Sequence, residues 1–144
     1  MPPSAPLVAD LEAAGVRPGT LLALVVVAGG IGLATGQTQL SVRCDDAGRA
    51  ALVADVDRAL RPRWVWWSAA RTTPLLVRQG ARPGRCWDLA AVHRVLHGGR
   101  SDDPGRVWAA ARGLPLEAVR APVEAGRLDL WGAGSGGELS LIHI

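Results

Sequence analysis

Few side chains in this sequence could do chemistry, and most of those stand alone. Asp10-Leu11-Glu12 is a D-x-E triplet, and paired carboxylates suit hard divalent cations. The triplet precedes the first apolar strand and falls on a helical turn, so it reads as a surface helix. Asp88 is followed by an apolar helical period, the spacing of an N-cap, and a lone carboxylate does not hold two cations. His93 and His97 are four residues apart, a helical spacing that can bind zinc. The segment between them is Arg-Val-Leu, with neither the glutamate of H-E-x-x-H nor an obvious third ligand, so they read as ordinary helix histidines. Cys86 beside Trp87 reads as packed core, since no histidine or aspartate partner is implied. Arg63, Arg71, Arg78, Arg82 and Arg85 surround Trp64, Trp66 and Trp67. These arginines are candidate DNA contacts, and the tryptophans are either core or a platform for stacking single-stranded bases. Core is the expected reading. The glycine-rich stretches build no phosphate loop: Gly29–Gly36 lacks the lysine and the G-x-G-x-x-G spacing, and Gly132–Glu138 follows no strand.

The composition says how much weight the arginines bear. The chain has 144 residues and a net charge of +3, the length of one domain. All 16 basic residues are arginine, and lysine, phenylalanine, tyrosine and asparagine are absent. That bias is the translation of a very GC-rich genome, so the basic balance alone is no argument for nucleic acid. Arginines also interleave with acids, the pattern of a solvated face. Apolar residues make up 49%, enough for a core and too many for wholesale disorder. Two cysteines, Cys44 and Cys86, are expected as buried free thiols in a reducing cytoplasm. The N-terminus carries acids and no basic region, so no secretory signal is expected. Leu21–Gly36 falls short of the ~20 apolar residues of a membrane helix, contains Gly29-Gly30, and reads as a strand hairpin.

The elements follow from periodicity. Residues 1–20 form a lead-in with one helical turn ending at Gly15. Leu21–Val27, Ile31–Thr35 and Gln37–Arg43 read as strands, the last alternating polar and apolar residues. After Asp45-Asp46, an N-cap signal, Leu52, Val53, Val56, Ala59 and Leu60 share a helical stripe, with Arg49, Asp55, Asp57 and Arg58 mostly off it. Arg61-Pro62 ends that helix. "RWVWWS" is a strand by composition. Trp64 and Trp66 face one way, Val65 and Trp67 the other, which predicts a central strand covered on both sides. Thr73-Pro74 is the expected start of a helix stopping at Gly80. "RCW" is a short strand. Asp88 caps a helix with Leu89, Val92 and Leu96 inward, ending at Gly98-Gly99, and Asp103-Pro104 opens another. The order β-β-β-α-β-α-β-α-α predicts an α/β fold with a mixed sheet.

Beyond Leu116 the signal fades, and residues 117–138 are linker-like. The last six residues, "LSLIHI", hold two of the chain's three isoleucines. They match the translation of a transposon mosaic-end sequencing adapter, so native sequence is expected to end at Glu138, in the amino-terminal piece of a longer protein. No role is assigned to His143; the alternative is a genuine C-terminal strand.

The stretches "RPRWVWWS", "PLLVRQGARPGRCWDLAAVHRVLHGG" and "DPGRVWAAARGLP" resemble the N-terminal region of actinobacterial bifunctional 3′-5′ exonuclease/DNA polymerase proteins, which are similar to DNA polymerase I without its 5′ nuclease. The resemblance covers about residues 61–116, and the first 60 residues match in outline. It implies a ribonuclease-H-like exonuclease domain, residues 21–116, incomplete at its C-terminus, ahead of a family A polymerase. The parent would act on DNA with Mg2+, in the cytoplasm. Overlaying Asp88 on the family's later aspartate puts the metal-binding aspartate at Arg71 and its asparagine partner at Trp67. The first strand, "LLALVVV", lacks the expected D-x-E. Two-metal phosphodiester hydrolysis needs clustered carboxylates, so the resemblance implies a catalytically silent domain with no cation site in this chain. The alternatives are a stand-alone arginine-rich module binding nucleic acid or protein, and a nuclease with unorthodox ligands that would depend on Asp88.

Overall fold

The structure, a computed structural model, describes residues 4–98 and 103–115. The linker-like segment, "LSLIHI" and His143 lie outside them. The elements are α1 (Ala5–Ala13), β1 (Leu21–Val27), β2 (Gly30–Ala34), β3 (Gln39–Arg43), α2 (Asp46–Leu60), β4 (Arg63–Trp66), α3 (Ala69–Val77), β5 (Cys86–Asp88), α4 (Leu89–His97) and α5 (Pro104–Ala111). They form an α/β fold around one five-stranded mixed sheet in the order β3-β2-β1-β4-β5. β1, β4 and β5 run parallel, while β2 is antiparallel to both of its neighbours.

Local chemistry explains the turns. Gly29 adopts φ 74° between β1 and β2, a left-handed conformation that glycine takes without a Cβ clash. A Cβ on Gly30 would collide with the Val42 carbonyl oxygen across the ladder. The Thr35 hydroxyl closes the next turn, accepting from the N–H groups of Gln37 and Thr38 at 3.2 and 3.0 Å. The period then shifts, and the Asp45 carboxylate caps α2 by accepting from Gly48 N–H at 2.7 Å. Parallel pairing of β1 and β4 needs a crossover connection, which α2 provides.

The core lies between one sheet face and the first three helices. Leu22, Leu24, Ile31, Leu33, Trp64 and Trp66 pack in one cluster with Leu7, Leu11, Val53, Val56 and Leu76. Trp64 is wholly buried, and its indole N–H donates to Asp57 Oδ1 at 2.7 Å. The lead-in read as one turn is a nine-residue helix whose Leu7 and Leu11 belong to this core.

Six expectations need correction. β4 lies inside the sheet between β1 and β5, but only its Trp64 and Trp66 face is buried; Val65 and Trp67 are half-buried. On the same sheet, Leu21 and Val25 of β1 are each 56% exposed. Alternation of bulk reports two apolar faces but not whether a helix covers the second. α3 starts at Ala69 rather than at Thr73, so Pro74 is its sixth residue, past the first turn, and the helix forgoes one i→i−4 backbone bond there. Cys86 and Trp87 are exposed rather than core, since β5 is the edge strand. Cys44 is half-buried. Leu89 and Leu96 are exposed and Val92 half-buried rather than inward. Finally, Arg49 is buried, 5% exposed, rather than on the outer side of α2.

Candidate functional site

In open α/β sheets, ligands gather outside the carboxyl ends of the parallel strands. Here Trp67 follows β4 directly, Asp88 ends β5, and Val27 ends β1. Asp88 is half-buried, and both of its carboxylate oxygens are engaged by backbone. Oδ2 accepts from Ala69 N–H and Oδ1 from Ala91 N–H, each at 2.8 Å. It therefore caps α4 as its spacing predicted. It also caps α3, where the hydroxyl of Ser68, the residue before the helix, makes no capping bond. Ala90 N–H donates to the Trp67 carbonyl at 2.9 Å, which ties the end of β4 to the start of α4.

Arginine stands near the ends of both β1 and β4. Arg71 is the third residue of α3 and is exposed. Arg49 donates from Nη2 to the Val27 carbonyl at 3.4 Å and pairs through Nη1 with Asp46 at 3.1 Å, while its Nε is buried with no acceptor among the described residues. The indole N–H groups of Trp66 and Trp67 are likewise buried and unpartnered there.

Beyond Trp67, an apolar cleft of about 510 Å³ opens between α4 and α5, with Leu89, Val92, His93, Leu96 and Trp108 in its lining. The His93 and His97 rings lie 4.8 Å apart. Among the described residues no group of three or more His, Cys, Asp or Glu side chains converges there or elsewhere. Asp10 and Glu12 are exposed on α1, on the surface helix that their pattern predicted.

The five candidate DNA-contact arginines are dispersed. Arg63 and Arg85 line one cleft at the amino ends of β4 and β5. Arg71 begins α3, Arg78 follows its last residue, and Arg82 is exposed in the loop leading to β5. The cleft adds Arg58 and Arg61, which sequence reasoning missed, together with Asp57. Asp57 is 27 residues from Gly84, whose N–H donates to it at 3.1 Å, and no local pattern signals such a contact.

Among the described residues, two groups have displaced proton affinities. Asp55 is held below the usual carboxylate range by hydrogen bonds from the Ser4 hydroxyl and then from Arg58. The Cys44 thiol is pushed up by burial, against the opposing pull of Arg49. Neither group lies in the clefts at Trp67 or at Arg63.

Comparison with family models, with curated proteins and with solved structures finds no match to this chain. Among the described residues no helix is long and apolar enough to cross a membrane.

Proposed function

We propose that the chain is the amino-terminal part of a family A DNA polymerase, and that it carries a ribonuclease-H-like 3′-5′ exonuclease domain without nuclease activity. The observation that carries this reading is the sheet itself. Its order β3-β2-β1-β4-β5, with β2 alone antiparallel, is the order expected of a ribonuclease-H-like sheet. α2 joins β3 to β4 and α3 joins β4 to β5, as the resemblance implies.

A pair of Mg2+ ions does not fit the residues present. β1 carries only aliphatic side chains. Arg71 holds a fixed positive charge one turn past β4, where the resemblance expects an aspartate. The Asp88 carboxylate is already used twice by backbone N–H groups. In place of metal chemistry, the domain serves as a scaffold beside a DNA-handling domain. A cytoplasmic location and contact with DNA through the parent polymerase follow from the same reading.

Two measurements test it. Sequencing the locus past the codon for Glu138 is expected to reveal family A polymerase motifs; a stop codon, or an unrelated domain, refutes the polymerase reading. Incubating the chain with 5′-labelled single-stranded DNA and Mg2+ is expected to leave the strand intact. Degradation that disappears in Asp88→Asn, with the fold retained, refutes the inactive reading.

A further inference from the structure

The cleft at the amino ends of β4 and β5 is at the other end of these strands from the carboxyl-end site and takes no part in the reading above. It has a volume of about 510 Å³ and is lined by Pro18, Gly19, Asp57, Arg58, Arg61, Pro62, Arg63, Gly84 and Arg85. Four guanidinium-bearing residues thus meet one carboxylate. That carboxylate is occupied: Asp57 Oδ1 accepts from the Trp64 indole N–H at 2.7 Å and from Gly84 N–H at 3.1 Å. Arg58 pairs with Asp55 at 2.7 Å, outside the cleft. Arg61, Arg63 and Arg85 are paired with no carboxylate among the described residues.

Arg61 has a second peculiarity. It is the one non-glycine residue at positive φ among the described residues, at 45°. It occupies the left-handed position that ends α2, where glycine is the usual occupant because a Cβ is strained there. Its backbone is fixed on both sides, with its N–H donating to the Asp57 carbonyl and its carbonyl accepting from Gly19 N–H, each at 3.0 Å. Strain of this kind persists where the surroundings over-determine it, and it concentrates at functional sites. GC-rich coding does not account for arginine at this position, because glycine codons are equally GC-rich and would remove the strain.

We propose that this cleft binds adjacent phosphate groups, with Arg61, Arg63 and Arg85 as the ligating residues. Guanidinium groups match phosphate oxygens in forked, bidentate geometry, and the volume suits a ligand of nucleotide size. The shared chemistry is a run of phosphates, either from a free polyphosphate chain or from the backbone of a nucleic-acid strand.

The test titrates the full chain at low ionic strength with inorganic tripolyphosphate and, separately, with a single-stranded oligothymidine, and follows heat and tryptophan fluorescence. The key variant is Arg61→Gly, which removes the guanidinium and relieves the backbone strain together. It is expected to melt at a higher temperature than the parent chain and to bind at least tenfold more weakly. Arg85→Gln is expected to weaken binding similarly with the melting temperature unchanged. Tripolyphosphate binding lost in both variants supports a polyphosphate site, and oligothymidine binding alone, lost in the same variants, supports a strand-backbone site. Binding of neither probe overturns the proposal, as does binding that either variant retains.

Discussion

Asp88 is the acid that a nuclease reading would make catalytic, and the structure gives it a different task whose size can be worked out. Its two carboxylate oxygens accept backbone N–H groups at the starts of two helices, Ala69 of α3 and Ala91 of α4, both at 2.8 Å. Removing a helix N-cap costs about 1 kcal/mol. A part-buried hydrogen bond to a charged group is worth roughly 1.5–3 kcal/mol. Asp88→Ala therefore loses about 2.5–4 kcal/mol, a large fraction of the roughly 5–15 kcal/mol that holds a small domain together. For a domain of this size that lowers the melting temperature by roughly 10–20 °C. Asp88→Asn keeps one acceptor oxygen and is expected to lose about half as much. Urea and thermal unfolding, followed by far-ultraviolet circular dichroism and tryptophan fluorescence, measure both variants. Asp88→Ala within about 0.5 kcal/mol of the parent, the range of an ordinary surface substitution, would refute the double-cap account. So would Asp88→Asn and Asp88→Ala falling by the same amount.

Three further outcomes follow from particular contacts. Gly30→Ala drives a Cβ into the Val42 carbonyl oxygen; backbone cannot yield as a side chain would, so a loss of about 1–3 kcal/mol is expected, read by the urea midpoint, and a midpoint equal to the parent's counts against the β2–β3 register. Asp55 has its folded pKa below its unfolded one, so its contribution is present above the ordinary carboxylate range and is lost as pH falls through the folded value; Asp55→Asn is expected to flatten the acid limb of the stability–pH curve, and a curve of unchanged steepness contradicts the Ser4 and Arg58 bonds. In thiol titration of the native chain, exposed Cys86 is expected to react first and Cys44, with its thiolate disfavoured by burial, to lag; Cys86→Ser should remove the fast phase, and equal rates would contradict the burial of Cys44.

Local pattern alone was enough for most of the elements. The switch from alternating residues in β3 to the stripe Leu52, Val53, Val56 and Leu60 marks the change from strand to α2. Asp45, Asp88 and Asp103 announce three helix starts, because a cap needs only a side chain and an N–H a few residues on. The charge at position 71 and the lack of acid on β1 were likewise plain in the amino-acid sequence. What it left undecided depends on residues far apart in the chain. Whether a second layer covers β4 depends on which helices cross which face, and whether β5 is an edge depends on which strands pair, so neither the half-exposure of Val65 nor the exposure of Cys86 is legible in the local pattern. Arg49 is polar by type but is buried through contacts with Asp46 and the Val27 carbonyl. The Arg61, Arg63 and Arg85 cleft exists because α2 ends where β4 and β5 begin, and an ending helix and two starting strands meet only once the sheet has closed on its crossovers.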